Sequence, residues 1–279
     1  MNACLTVPSG PLRGWPRLGF GVAGVLAGPL SDADLVARLV DIAVKGGAPY
    51  FDTAPAYGGG EAERRLGLAL KTLRRDQFFL STKGGILSGR FGRRLRGFTP
   101  DGLERELDAS LTRLGVDYVD IFFTHGIAFV EMNDAIFRRL DDIKASGRAR
   151  QIGAAGDREE LSRLYQHGAA DVVMTPLYPE LDPQERARLD GLRKNGVGVI
   201  GIEVMSRAQP SLAGGFSAGG AYRLARRFVR GPPPKRGAFS RTGALQAFYR
   251  DDLGDIALVS TTKPERLAEN LTIAAGKPA

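Results

Sequence analysis

Tyr50-Phe51-Asp52-Thr53-Ala54-Pro55-Ala56-Tyr57 is a short apolar run that ends on a carboxylate, with a phenol five residues further on. Glu61 to Leu73 follows with acidic residues in its first turn and Leu66, Leu70 and Leu73 at helical spacing. The stretch therefore reads as a strand, a loop and an amphipathic helix. Whether this unit stands alone or repeats decides the fold.

It repeats in both directions. Upstream, Arg17 to Val22 reads as a first strand, and Ser31 with Asp34 resembles a helix-starting capping box ahead of Leu35, Val36, Leu39, Val40, Ala43 and Val44. Before it, Cys4 to Val7 and the segment after Pro8-Ser9-Gly10-Pro11 suggest a short N-terminal hairpin. Downstream, Phe78 to Lys83 is a third strand and Thr99-Pro100 opens a helix lined by Leu103, Leu107, Leu111 and Leu114. Val119 to His125 is the fourth strand, followed by a helix through Ile136, Leu140 and Ile143. Arg150 to Ala154, Val172 to Met174, Val197 to Val204 and Ile256 to Val259 supply four more strands. Helices are expected from Asp157, Asp182 and Pro264. Eight strands alternating with helices predict an α/β fold, a single (β/α)8 TIM barrel over 1–279, with a long loop at 206–241 after strand seven and a helix inside it near Tyr222 to Val229.

Composition bounds the rest. The chain of 279 residues is 43% hydrophobic, ample for a large core, and its one cysteine, Cys4, forms no intramolecular disulfide. No apolar run reaches the roughly 18 residues of a membrane-spanning helix, and the first residues carry neither a basic start nor an apolar centre, so a soluble cytoplasmic protein is expected. Net charge is +8, which makes nucleic acid a partner to consider. The arginine pairs are scattered over helices, however, and the cluster Arg90, Arg93, Arg94 and Arg96 lacks interleaved aromatics; no nucleic-acid partner is expected. Nor is a metal. Gly19-Phe20-Gly21-Val22-Ala23-Gly24 and Gly196-Val197-Gly198-Val199-Ile200-Gly201 both match G-x-G-x-x-G, but neither leaves a strand for a helix as a dinucleotide fingerprint requires.

Chemistry gathers at the C-terminal ends of strands, which converge on one face of such a barrel. Asp52 with Tyr57, Lys83 and His125 come from strands two, three and four. A phenol titrates near pH 10 unaided, and a neighbouring ammonium stabilises its phenolate. A carboxylate keeps that ammonium charged, and an imidazole can orient a carbonyl toward the phenol. Such a set protonates an alkoxide as hydride reaches carbon. Taken singly, Asp52 also suits a turn cap, Tyr57 a loop aromatic, Lys83 a rim ion pair and His125 a core histidine; their coincidence on adjacent strand ends favours the site. The other histidine, His167, precedes Gly168 and suits a helix C-terminus.

With these residues in view, the sequence resembles the aldo-keto reductases. The likeness runs through Leu18-Gly19-Phe20-Gly21, Phe51-Asp52-Thr53-Ala54-Pro55-Ala56-Tyr57-Gly58, Glu63-Arg64-Arg65-Leu66-Gly67, Ser81-Thr82-Lys83, Thr124-His125 and Gln151-Ile152-Gly153 to the final helix. The resemblance implies an oxidoreductase that reduces an aldehyde, ketone or open-chain sugar with NADPH, NADH staying open. Tyr57 would be the general acid, Lys83 and Asp52 its tuning pair, and His125 the residue orienting the substrate. It implies a cofactor site of Gly21, Val22, Asp52, Thr175, Ser206, Thr261, Lys263, Arg266 and Asn270. A helix N-terminus and a guanidinium at the last of these suit a phosphate independently of family. Ser260 stands where many members carry lysine. By spacing, Ala155-Gly156, Thr175 and Ile202 replace the family's usual nicotinamide contacts. A second reading, a catalytically weak nicotinamide-binding barrel serving as a sensor or regulatory subunit, stays open on that account. The chain ends soon after its last helix, which suggests an open pocket, or one covered by the long loop or by a second subunit. A monomer or weak homo-oligomer is expected.

Overall fold

The computed structural model describes residues 5–88, 94–156, 161, 170–208 and 237–276. Its strands are β1 (Leu18–Gly21), β2 (Tyr50–Asp52), β3 (Phe79–Gly84), β4 (Ile86–Ser88), β5 (Arg94–Arg96), β6 (Val119–His125), β7 (Ala149–Ala155), β8 (Val172–Pro176), β9 (Gly198–Ile202) and β10 (Ile256–Val259). The helices are α1 (Ala33–Lys45), α2 (Glu61–Leu70), α3 (Pro100–Leu114), α4 (Asp134–Ala145), α5 (Pro183–Lys194), α6 (Arg241–Arg250) and α7 (Pro264–Ala274). The parallel strands close in the order β1-β10-β9-β8-β7-β6-β3-β2, the barrel that the alternation predicts.

Alternate side chains divide the interior into two layers. Tyr50, Ile121, Phe123, Val172, Met174, Ile200, Ile256 and Leu258 point into the barrel. Phe51, Phe122, Val173, Val199 and Ala257 point outward, against helix residues such as Leu39, Leu66, Leu107 and Leu140. The expected N-terminal hairpin forms: Thr6 bridges Pro16, and the Val7 amide donates to the Trp15 carbonyl at 2.8 Å. It serves as the floor of the barrel. Trp15 stacks on Phe79 at 4.3 Å and meets Tyr50 edge-on at 4.9 Å, so the open end is the C-terminal one, where strands deliver functional groups.

Several boundaries differ from the sequence reading. Asp32, not Ser31, caps α1, its carboxylate accepting from the Leu35 amide at 2.8 Å; a charged acceptor also complements the helix dipole. α2 stops at Leu70 rather than Leu73, because the chain turns there to feed a short 3-10 segment at Arg75–Gln77. Two elements are additional. The hairpin β4–β5 lies between β3 and α3, and α6 follows the expected irregular zone. The expected helices from Asp157 and around Tyr222 to Val229, most of the 206–241 loop, His167, Cys4 and Arg90 and Arg93 of the basic cluster lie outside the described residues. Among the described residues no helix is long and apolar enough to cross a membrane, and no cluster of His, Cys, Asp and Glu suits a metal ion.

Candidate active site

β2 and β3 pair in register, Asp52 opposite Ser81, and β3 pairs β6 with Lys83 opposite Phe123. That register puts Asp52, Lys83 and His125 at one end of the interior. Tyr57 arrives from the loop after β2, which two contacts hold: the Val22 amide donates to the Asp52 carbonyl at 2.8 Å, and the Thr53 hydroxyl donates to the Val22 carbonyl at 3.2 Å. After Tyr57 the chain must reverse into α2. Gly58, Gly59 and Gly60 do this with φ of 66°, 64° and 90°, a region other residues seldom adopt. Gly58 is constrained twice, since a Cβ there would lie 2.4 Å from the Ala27 carbonyl oxygen.

The ionic centre is the Asp52–Lys83 pair. Lys83 Nζ donates to Asp52 Oδ2 at 2.5 Å and to the Thr53 carbonyl at 3.0 Å, with both side chains buried. Burial pushes the Asp52 carboxyl above the ordinary carboxylate range, with Lys83 and Ser81 opposing it. Burial also pulls Lys83 down, but the oxygens of Asp52 and Tyr57 outweigh it and hold the ammonium above the usual lysine value. The two shifts pull in opposite senses, burial favouring a neutral Asp52 and the facing oxygens favouring a charged Lys83, and the short contact is that of an ammonium donating to a carboxylate. The half-buried Tyr57 ring centroid is 5.3 Å from Lys83 Nζ and 5.9 Å from the His125 ring, which it meets nearly at right angles. A charged donor, a phenol and an imidazole thus share one mouth. An oxygen placed against the phenol can take a proton there.

The remaining residues divide by location. Gly21 ends β1 opposite Asp52, and Val22 follows it. Ser206 is exposed beyond β9, its amide donating to the Glu203 carbonyl. Thr261, Lys263 and Arg266 are half-buried at the start of α7, and Asn270 is buried one turn on. α7 opens with Pro264 after Lys263, which provides no side-chain cap; Pro264 has no N–H and the Arg266 amide donates to the Lys263 carbonyl at 3.1 Å, so in the first turn the Glu265 amide and the positive end of the helix dipole face an anion. The Thr261 oxygen accepts from the Lys263 amide at 3.1 Å, leaving the hydroxyl proton to donate outward. These features fit a phosphate-bearing cofactor.

Thr175, matched by spacing to a nicotinamide contact, sits near the C-terminal end of β8. Strand alternation puts Met174 with the interior set and Val173 with the outer one. Thr175 therefore shares Val173's outward side, where its buried hydroxyl has no hydrogen-bond partner among the described residues. Ala155, Met174 and Ile202 line the interior here, and none of their side chains can hold an amide. Tyr50 and Ser81, which the sequence presents as ordinary strand residues, prove to be polar partners of Asp52: Ser81 donates to its Oδ1 at 2.7 Å, and Tyr50 meets Ser81 at 2.9 Å.

Comparison with known proteins adds independent findings. A sequence profile of the Aldo/keto reductase family matches residues 17–226. The chain is 33% identical over 199 residues to the NADH-specific methylglyoxal reductase of Escherichia coli, covering 65% of this chain but only 61% of that protein's length. It is 31% identical over 236 residues to a D-threo-aldose 1-dehydrogenase from a Pseudomonas species, covering 73% of this chain and 71% of that one. An aldo-keto reductase from Bacillus halodurans superposes with a TM-score of 0.78 at 21% identity, covering 100% of this chain and 93% of the other. One from Klebsiella pneumoniae, solved with NADPH, gives 0.71 at 18% identity, covering 99% and 92%.

Proposed function

This chain belongs to the aldo/keto reductase family, and we propose that it reduces an aldehyde, a ketone or the open-chain carbonyl of a sugar to the alcohol, with NADPH preferred to NADH. The observation that carries the reading is the buried Asp52–Lys83 pair under the Tyr57 phenol, with His125 at the same mouth. A bound reduced nicotinamide dinucleotide supplies hydride to the carbonyl carbon. Tyr57 gives its phenolic proton to the carbonyl oxygen as charge builds there. Lys83 stabilises the phenolate left behind, and Asp52 keeps Lys83 charged. His125 orients the carbonyl toward Tyr57. Arg266, Lys263, Thr261 and the N-terminal end of α7 take the adenosine-end phosphate, with Asn270 beside the base. The methylglyoxal reductase and the D-threo-aldose 1-dehydrogenase that this chain resembles are named for a small carbonyl compound and an aldose, which supports this substrate class.

A catalytically weak binding barrel is the second reading. It is favoured by one observation, the apolar interior of Ala155, Met174 and Ile202 where an amide has to be gripped. Loss of NADPH absorbance over a panel of aldehydes, ketones and aldoses separates the two. Turnover supports the reductase; tight cofactor binding without turnover on any carbonyl supports the sensor. Titration with NADPH and NADH tests the adenosine end: Arg266→Ala weakens NADPH binding about ten-fold or more, the value of one charge-assisted contact, and leaves NADH nearly unchanged. Equal losses for both cofactors contradict the assignment.

A further inference from the structure

Below the Asp52–Lys83 pair lie two hydroxyls to which the reduction chemistry assigns no task. Ser81 Oγ donates to Asp52 Oδ1 at 2.7 Å, and the Tyr50 hydroxyl is 2.9 Å from the same Ser81 oxygen. Proton counting fixes the direction. An ionised carboxylate only accepts, and a serine has one proton to give. That proton lies on the Asp52 bond, so Tyr50 donates to Ser81. The chain runs Tyr50 to Ser81 to Asp52 and ends on the carboxylate oxygen that does not face Lys83, whose own bond is to Oδ2.

The chain is sealed. Tyr50 and Ser81 are 0% exposed and Asp52 3%, so water cannot substitute for a missing member. The Tyr50 ring is clamped by Trp15 edge-on at 4.9 Å, and at Gly19 a Cβ would stand only 2.5 Å from the ring. A phenol held so firmly in an otherwise apolar barrel interior is costly unless its hydroxyl is used.

We propose that Ser81 and Tyr50 are positioning residues for the reduction, a one-way hydroxyl relay that keeps Asp52 ionised and turned toward Lys83, and through Lys83 keeps Tyr57 active. The inference rests on the reductase reading for its kinetic part only. The groups facing Asp52 are Lys83 and Ser81 from β3, with Tyr50 of its own strand behind Ser81; Tyr57 from the following loop faces Lys83, His125 from β6 faces Tyr57, and β1 sets Gly21 opposite Asp52. Asp120, also on β6, acts on Tyr50, which burial and then Asp52 hold well above the ordinary phenol range. Tyr50 is thus a permanent donor. A hydrogen bond to the ionised carboxylate favours that form, so removing it makes Asp52 protonate at higher pH and discharges the pair sooner on acidification.

The test is a set of Ser81→Ala, Tyr50→Phe and the double variant, followed by kcat and KM across pH and by thermal melting. Ser81→Ala moves the acidic limb of kcat upward by about one pH unit, a ten-fold loss on that limb, with KM for the carbonyl unchanged. Tyr50→Phe moves it less in the same direction, and adds no shift once Ser81 is gone. Melting reads the relay without any turnover: Ser81→Ala leaves the Tyr50 hydroxyl buried and unsatisfied, so the double variant melts above Ser81→Ala alone. An acidic limb in Ser81→Ala that coincides with wild type, or fully additive shifts, overturns the proposal. If wild type reduces no carbonyl, the reductase reading fails, and the melting order alone decides the relay, a double variant below Ser81→Ala refuting it.

Discussion

Replacing Lys83 by methionine separates a buried ion pair from a surface one. The ammonium gives one bond of 2.5 Å to Asp52 and one of 3.0 Å to the Thr53 carbonyl, and the two side chains are 3% and 4% exposed. Methionine fills similar space but leaves Asp52 charged and buried, with Ser81 as its remaining donor. Breaking a buried pair from one side costs about 3–5 kcal/mol. The loss is pH-dependent, with a definite sign. Burial already raises the Asp52 carboxyl, and without Lys83 it rises further. A carboxyl raised on folding supplies stability that is complete below its unfolded value of about 3.9 and disappears as pH climbs through the folded value. The deficit of Lys83→Met relative to wild type therefore grows from pH 4 to pH 8. Urea unfolding followed by circular dichroism across that range measures it, alongside Asp52→Asn/Lys83→Met, which has no buried charge and recovers most of the loss. A deficit under about 1 kcal/mol, one flat with pH, or a double variant no more stable than the single one refutes the burial argument.

Two further outcomes follow from the surroundings of the site. Gly58→Ala forces φ of 66° on an alanine and a Cβ to within 2.4 Å of the Ala27 carbonyl oxygen. It displaces the turn carrying Tyr57, so steady-state assays show kcat falling at least ten-fold, since a misplacement of about 1 Å can cost 100-fold, while NADPH titration changes little. Glu61 bonds Arg64 and Arg65, Arg65 also binding the Leu26 and Gly28 carbonyls, and the Arg64 and then the Arg65 bond lower its carboxyl from 4.5 to about 2. A depressed carboxyl gives stability present above its unfolded value and lost as pH falls through the folded one. Wild type thus loses part of its melting temperature between about pH 4.5 and 2, and Glu61→Gln lacks that component. High salt shrinks the effect because the group is largely solvated.

The barrel was legible because each strand is a short apolar run and each helix carries its stripe, and the ends of such runs are where Asp52, Lys83 and His125 stand. The phase within a strand was less so. Val172-Val173-Met174-Thr175 is buried on both faces, so no polar alternation in the sequence tells which of them point inward. The hairpin Ile86–Ser88 with Arg94–Arg96 was hidden by arginines and glycines that interrupt its period. The relay under Asp52 was invisible for another reason. Tyr50 reads as a β-forming aromatic and Ser81 as a neutral strand residue, and only the register of Asp52 opposite Ser81 brings the three oxygens together.

In the proposed reduction Tyr57 delivers the proton. Tyr57→Phe removes one oxygen and keeps the ring that meets His125 at 5.9 Å, so the decisive measurement is its single-turnover oxidation of bound NADPH by a carbonyl that wild type reduces, beside NADPH affinity by titration. Affinity stays within about two-fold of wild type and the reduction rate falls by roughly 100-fold or more, the usual contribution of a positioned general acid. A Tyr57→Phe protein that binds NADPH normally and reduces the same carbonyl at the wild-type rate contradicts that role.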